Sequence, residues 1–364
     1  MSRFRPATDA DEATWQALLG ALPSGDFLHD WAWAAVAAFD GQPQRRFVLE
    51  EEGAIVALVA AQVRSLPVGR AFWYVPHGPV LDYADPAAPE RLRAVVMGLR
   101  EAARRGRAIA VKLEPRLAID DPALAAFARL PLRRERATVQ VGQTRIVPLL
   151  DDDALLASFD KDTRYGVRRA EREGVRIRRI TDARDVVAID RLHELVTETQ
   201  RRAGFPLPER GRYRIAWERL AGAGRARIFE AWHADRLLAS AMAVHEGQRS
   251  FYLFSGSLRE APGEPKRYAS YALQWAMMRD ARELGARAHD LWGIAPPGSG
   301  PRHPWHGVGL FKKGFGGEEV VWAGTWDLVI APAAYRLRTA TGMLRSGLRK
   351  LLRAPGALAR RVRR

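Results

Sequence analysis

The chain has 364 residues, 47% of them hydrophobic and none of them cysteine. This excludes a disordered polymer, disulfides, thiolate catalysis and cysteine-held metals, and the length predicts two domains. A formal charge of +16, from 58 basic against 42 acidic residues, favours a polyanionic partner.

The N-terminal MSRFRPATDADEATW has no apolar stretch of signal-peptide length, and no run of about 18 apolar residues follows. A cytoplasmic chain that does not span a membrane is expected. In FLHDWAWAAV, Trp31 and Trp33 read as core aromatics of an amphipathic helix. Residues 45–64 then give two strands about a Glu-Gly turn, and GRAFWYVPHGPVLD an aromatic third strand. An amphipathic helix ending near Gly106 and a further strand, AIAVKLEP, complete the unit. About 180 positions later the pattern returns. Two strands about Ala234-Asp235 lead to FYLFSGS, a helix ending near Gly285, and the strand HDLWG. A strand meander followed by a helix and a crossover strand is an α+β unit, here duplicated.

Between the copies, Asp151 to Asp153 precede an apolar run, as a helix N-terminus prefers. Thr163 is read as opening a second helix, which carries Arg164, Arg168, Arg169 and Arg172 and ends at Gly174. This helix is either a solvated face with internal Glu171 and Glu173 pairs or a phosphate-binding face, and the surplus of arginine favours the second. RLAGAG, Arg219 to Gly224, matches the spacing that holds coenzyme A pyrophosphate. It follows a helix and precedes a strand, the reverse of what such a loop needs, so it reads as a helix C-cap.

No G-x-S-x-G, H-E-x-x-H or Walker motif occurs. His303 and His306 stand three apart, without the further ligands a metal site requires. The chain has only six lysines, and two of them, Lys312 and Lys313, are adjacent in GLFKKGFGG, a glycine-framed stretch read as a loop. From Tyr335 to Arg364 there are ten basic residues and no acidic one. Leu344, Leu348, Leu351 and Leu352 fall at helical spacing there, with Arg345, Arg349, Lys350 and Arg353 between them. Such a helix suits an anionic membrane surface or RNA, unless it is a solvated tail.

Taken in order, FLHDWAWAAV, TRYGVRRAEREGV, FYLFSGS, HDLWGI and GLFKKGFGGEEVVWAGTWDLVIAPAAY resemble the Fem family of peptidoglycan interpeptide-bridge aminoacyltransferases, from about Phe27 to Tyr335. The resemblance implies two acetyltransferase-like (GNAT-like) domains, the second inserted in the first. Domain 1 would span 1–148 with 318–337, domain 2 would span 149–317, and a basic tail 338–364. The short segment after Gln200 matches the compact kind of the family, without a helical hairpin.

The implied activity moves a small amino acid, glycine, alanine or serine, from aminoacyl-tRNA to the stem-peptide amine of a peptidoglycan precursor. That precursor is UDP-MurNAc-pentapeptide or lipid II. An aminoacyl ester is already activated, so no cofactor or metal is implied. By resemblance Lys312, paired with Phe311, stabilises charge on the ester carbonyl near the tRNA 3′ end, while Lys313 meets phosphate or solvent. Glu114 stands where relatives have Asp-Pro and is read as orienting or deprotonating the amine, or as a paired strand-end carboxylate. Arg210 and Tyr213 stand near an Arg/Tyr pair that contacts precursor phosphates. Phe254 replaces a precursor-binding tyrosine, with Tyr252 read on the opposite face of the strand, and Ala37 replaces a basic contact. The tail would then hold the enzyme at the inner leaflet. The other readings are an acyl-CoA N-acyltransferase on the same fold and a non-catalytic RNA- or membrane-binding relative.

Overall fold

A computed structural model describes residues 2–341 apart from 136, 205–206, 261–262 and 297. The first unit contains β1 (Ser2–Pro6), α1 (Glu12–Ala21), α2 (Trp33–Phe39), β2 (Gln44–Glu51), β3 (Ala54–Leu66), β4 (Arg70–Val75) and β5 (Val80–Leu81). It continues with α3 (Ala88–Arg105), β6 (Ala108–Leu113), α4 (Leu124–Ala128) and β7 (Arg133–Glu135). The second contains β8 (Gln143–Pro148), α5 (Asp152–Ser158), α6 (Lys161–Arg172), β9 (Arg176–Ile180), α7 (Val186–Ala203) and α8 (Arg210–Gly222). Then come β10 (Ala226–His233), β11 (Arg236–Glu246), β12 (Arg249–Ser257), α9 (Ala269–Glu283), β13 (Ala288–Gly293), α10 (His306–Lys313) and β14 (Glu318–Val321). β15 (Thr325–Val329) returns to the first sheet, followed by a helix over 332–341.

The two sheets share one plan. The first runs β1-β2-β3-β4-β6-β15-β7, with β5 beside β3, and the second β9-β10-β11-β12-β13-β8-β14. In each, one parallel pair, β4 with β6 or β12 with β13, is joined by the crossover helix, α3 or α9, and every other pairing is antiparallel. The duplication expected from the pattern is present, with the second unit inserted in the first. The boundaries differ from those expected. Strands 143–148 and 318–321 both lie in the second sheet, so only the chain from β15 onward returns to domain 1.

The central strands are apolar throughout because both faces are covered. Ala57, Val59 and Ala61 of β3 pack with Leu92, Val95 and Leu99 of α3, while Leu58 and Ala60 pack with Trp15 and Leu19 of α1. In the second unit, Ala241 and Ala243 of β11 meet Leu273 and Met277 of α9. Met242 and Val244 meet Leu192, Trp217 and Leu220 of α7 and α8 on the other face. Phe27, Trp33 and Val36 belong to this second core although they precede β2, a further departure from the expected boundary. Trp33 is a core aromatic, as expected, and Trp31 is stacked by Arg46 at 3.7 Å.

Several local readings are refined. Asp160, not Thr163, caps α6, its carboxylate accepting from the Thr163 N–H at 2.6 Å. Arg219–Gly224 closes α8, with Gly224 left-handed at φ +71°. Lys312 and Lys313 end a helix instead of sitting in a loop, and the glycines after them serve close packing. A Cβ at Gly314 would lie 2.2 Å from Thr163 Oγ1, and one at Gly317 2.3 Å from the Ile146 carbonyl.

The units meet along a polar seam. Arg249 donates to the Leu22 carbonyl at 2.6 Å, and the α1 C-terminus abuts the β11–β12 turn through Gly20 and Gly247. Gly247 has φ +54°, and a Cβ there would lie 1.9 Å from the Gly20 carbonyl oxygen. Gly247→Ala therefore forces backbone apart at the seam. The expected loss is about 3 kcal/mol of unfolding free energy, read by denaturant titration, with Gly53→Ala at an open turn as a milder control.

Candidate functional site

Regular pairing of β13 with β8 breaks between Asp290 and Gly293, and Trp292 takes φ +62°. This conformation, uncommon for a residue with a side chain, turns two successive carbonyls to one point. Lys312 Nζ donates to both, to Gly293 at 2.8 Å and to Trp292 at 3.4 Å. Its position next to last in α10 supplies the approach, and the Tyr252 ring centroid lies 5.7 Å from Nζ. Lys312 is 6% exposed. Burial pushes its ammonium down to about 7, and Asp290 opposes that shift.

Asp290 organises this cradle from beneath. Its Oδ1 accepts the Trp292 N–H at 2.8 Å and the Thr144 hydroxyl, and its Oδ2 accepts from Arg116 Nη2 at 2.9 Å. Arg116 comes from the first unit, just after β6. Its Nε stands 3.3 Å from Asp26 Oδ2, and its guanidinium lies over Trp322 at 5.1 Å and Phe251 at 5.6 Å. Asp26 Oδ2 also meets His77 Nδ1 at 2.8 Å. Burial alone raises the Asp26 carboxyl, but His77 and Arg116 hold it down to about 2. One chain of charge thus runs from Asp26 and His77 through Arg116 and Asp290 to the backbone that holds Lys312.

On the other side of α10, Phe311 packs edge-on against Tyr271 at 5.2 Å and Phe315 at 5.1 Å. Tyr271 continues to Tyr268 at 5.8 Å, and Tyr268 in turn meets Tyr165 at 5.7 Å, which is 48% exposed. Tyr268 and Tyr271 line a cavity of about 400 Å³ together with Arg236, Arg259, Lys266 and Arg267. Glu264 faces Arg236 at 3.3 Å and Glu173 pairs with Arg267, so part of this charge is internally balanced.

The other expected residues fall elsewhere. Glu114 is buried, with its carboxylate accepting from the Tyr74 hydroxyl and the Val139 and Gln140 amides, the first amide at 3.0 Å. These bonds tie the carboxylate to Tyr74 and to the segment that links the units, so Glu114 is a structural anchor and not a general base, and it forms no arginine pair among the described residues. Arg210 and Arg214 share Asp190. Tyr213 is buried between Phe254 at 4.3 Å and His193 at 4.9 Å, and burial raises its phenol to about 12. Tyr252 and Phe254 do face opposite ways. Simple alternation puts residues two apart on the same face; here Met242 pairs with Phe254 and Ala243 with Tyr252, so Leu253 is a bulge. On α6, Arg164 donates to the Ala157 and Phe159 carbonyls, Arg169 pairs with Glu173, and Arg168 is exposed, as is Lys313. Ala37 is buried. Arg345, Arg349, Lys350 and Arg353 lie outside the described residues.

The structure therefore joins Lys312, Phe311 and Tyr252, and sets Arg210, Tyr213 and Phe254 on a separate face. Asp26, His77, Arg116 and Asp290 were not foreseen as functional. Their one sequence signal is charge inside apolar surroundings, most visibly Asp290 in AHDLWG.

Residues 157–299 match the family model of the Acetyltransferase (GNAT) domain. The UDP-N-acetylmuramoylpentapeptide-lysine N(6)-alanyltransferase of Weissella viridescens is 24% identical, covering 75% of this chain and 81% of its own. The Lipid II:glycine glycyltransferase of Staphylococcus aureus (strain MRSA252) is 23% identical, covering 86% and 90%. A crystal structure of FemX superposes with a TM-score of 0.82 at 21% identity, over 92% of this chain and 99% of that one. Fold and matches define a chain built from two GNAT-like units. Its homologues are named as Fem-type transferases, as the resemblance in its sequence implied.

The depressed Lys312 ammonium has a stability consequence. Between about 7 and the ordinary lysine value the unfolded chain binds more protons at this site, so its contribution to stability rises with pH across that window. In urea titrations, the wild type minus Lys312→Met difference should grow by about 2 kcal/mol from pH 7 to pH 9. A flat difference contradicts the burial of the charge.

Proposed function

We propose that this protein is an aminoacyltransferase. It moves glycine, alanine or serine from aminoacyl-tRNA to the stem-peptide amine of UDP-MurNAc-pentapeptide or lipid II. The carrying observation is the buried Lys312 ammonium, held by two carbonyls and without a carboxylate in ion-pair contact among the described residues. The names of the relatives, an alanyl- and a glycyltransferase, support the donor and acceptor classes.

The amine attacks the ester carbonyl carbon, and negative charge develops on the carbonyl oxygen. A preorganised cation in a water-poor site stabilises that charge far better than an exposed one. The carbonyl cradle holds Nζ in place without cancelling its charge, and Phe311, wedged between Tyr271 and Phe315, fixes the helix turn that carries it. A compact ammonium fits a single oxygen where a planar guanidinium is too broad. The basic, tyrosine-lined cavity beside Phe311 suits the single-stranded 3′ end of an RNA: bases stack on Tyr165, Tyr268 and Tyr271, and phosphates meet Arg236 and Lys266.

Radiolabel transfer tests this reading with a panel of charged tRNAs, both acceptor forms and several diamine stem peptides. Lys312→Met should lower transfer by about 10²–10³-fold. Because Lys312 acts as the cation, wild-type kcat/KM expressed per free-base acceptor amine should fall as pH rises through about 7. A rise across that range makes the neutral amine the active form, and no transfer from any charged tRNA overturns the reading.

We also propose that the basic tail holds the protein at an anionic membrane surface. Truncation after Thr339 should weaken binding to anionic vesicles at least tenfold and spare transfer to the soluble precursor. Equal vesicle binding by both forms removes this role.

A further inference from the structure

Attack by an amine on an ester requires a proton to move from the nitrogen to the leaving oxygen, and the tethered carboxylate of Glu114 is poorly placed to carry it. Four buried histidines invite comparison. His29 has both nitrogens engaged, by the Pro76 carbonyl at 2.7 Å and the Ala60 N–H at 3.2 Å. His289 lies between the Ser250 hydroxyl at 3.1 Å and the Gln274 carbonyl at 3.3 Å. His245 sits in the second unit with Asp280 at 3.7 Å, too long for a hydrogen bond.

His77 alone of the four has one ring nitrogen held by a carboxylate and the other unpaired, whereas both nitrogens of His245 lack a hydrogen-bond partner. His77 is 2% exposed, with Nδ1 2.8 Å from Asp26 Oδ2 and Nε2 without a hydrogen-bond partner. An ionised carboxylate only accepts, so Nδ1 carries the hydrogen, and the tautomer this selects has its lone pair at Nε2. Leaving such an atom buried and unpaired costs stability and points to an absent partner. His77 also has φ +44°, a strained conformation of the kind that collects at working sites. Its ring lies 5.7 Å from Trp292 and 6.0 Å from Trp322. Trp292 is the residue whose carbonyl receives Lys312, so one indole has the free imidazole on its ring side and the ammonium at its backbone. That indole is only half-buried, so the wall beside His77 reaches the surface there.

Resting on the aminoacyl-transfer reading, we propose that His77, oriented by Asp26, is the general base for the acceptor amine. The amine enters as the free base past Trp292, and its nitrogen lone pair forms the bond to the ester carbon. The carbonyl π electrons move onto the oxygen facing Lys312, and the N–H proton passes to Nε2. As the tetrahedral intermediate collapses, the bond to the ribose oxygen breaks and that oxygen takes the proton from Nε2, which regenerates the neutral imidazole. Arg116, 3.3 Å from the same Asp26 oxygen, keeps Asp26 ionised and the tautomer fixed.

The test is His77→Asn, whose side-chain amide still donates to Asp26 but cannot accept the proton. Two acceptors are compared on the same charged tRNA: the stem-peptide amine and hydroxylamine, a far weaker base that needs no help to react at neutral pH. Amine transfer should fall about 10²–10⁴-fold, while enzyme-dependent hydroxamate formation stays within a few-fold of wild type. Retained hydroxamate formation also shows that the variant is folded at the site. Unchanged amine transfer overturns the assignment, and equal loss of both reactions overturns it in favour of a structural role. A wild-type protein that transfers to neither acceptor fails the aminoacyl-transfer reading itself, and the assignment with it.

Discussion

The contact between Arg116 and Asp290 is the constraint on which the rest of this structure depends. The two residues are 174 positions apart, sit on different sheets, and are each less than a tenth exposed. Removing Arg116 leaves Asp290 a buried charge without its ion-pair partner, and removing Asp290 leaves Arg116 with Asp26 alone, at 3.3 Å. Each is therefore a condition for the other, and the fold has to bring the units together in one register to satisfy both. Asp290 then spends its remaining oxygen on Thr144 and the Trp292 amide, so the same pair that docks the units also sets the backbone under Lys312.

This seam is costly. Glu246 is buried there beside Asp30, with Arg225 no nearer than 3.8 Å, and burial together with Asp30 pushes its carboxyl up to about 9. At neutral pH it is an acid kept neutral by its surroundings, beside an Arg249 whose guanidinium burial pushes down to about 10. A hydrophobic seam gives more stability for the same area. What the polar seam supplies is a set of fixed charges in a low-dielectric setting, where their effect on a developing charge is greatest.

Much of the fold was legible in sequence because it rests on local periodicity. The α3 and α9 helices, the strand meanders and the turns at Glu52-Gly53 and Ala234-Asp235 follow from spacing and turn chemistry, and both copies appear where the pattern placed them. The errors come from non-local pairing. β8 joins the second sheet by pairing with β13, and β14 by pairing with β8, choices no local window records, and Phe27 and Trp33 reach the second core by chain path alone. Two glycines after Lys313 suggested a loop, yet they serve close backbone approach at the end of a helix. The facing of Tyr252 and Phe254 was read rightly but arises from a bulge at Leu253, which no alternation rule anticipates.

The site divides along the same line. Lys312 stood out because it is a rare residue type in a distinctive local setting, and such signals survive in one dimension. Asp26, His77 and Arg116 carry no motif, since their meaning lies in who surrounds them. A buried Asp–His contact becomes chemical only when Nε2 proves unpaired, and an arginine becomes a hinge of the fold only when its carboxylate arrives from another unit. The duplication makes this possible. Each unit alone buries its own sheet, and it is the mating of the two that brings the His77 imidazole and the Lys312 ammonium to the two ends of a single tryptophan.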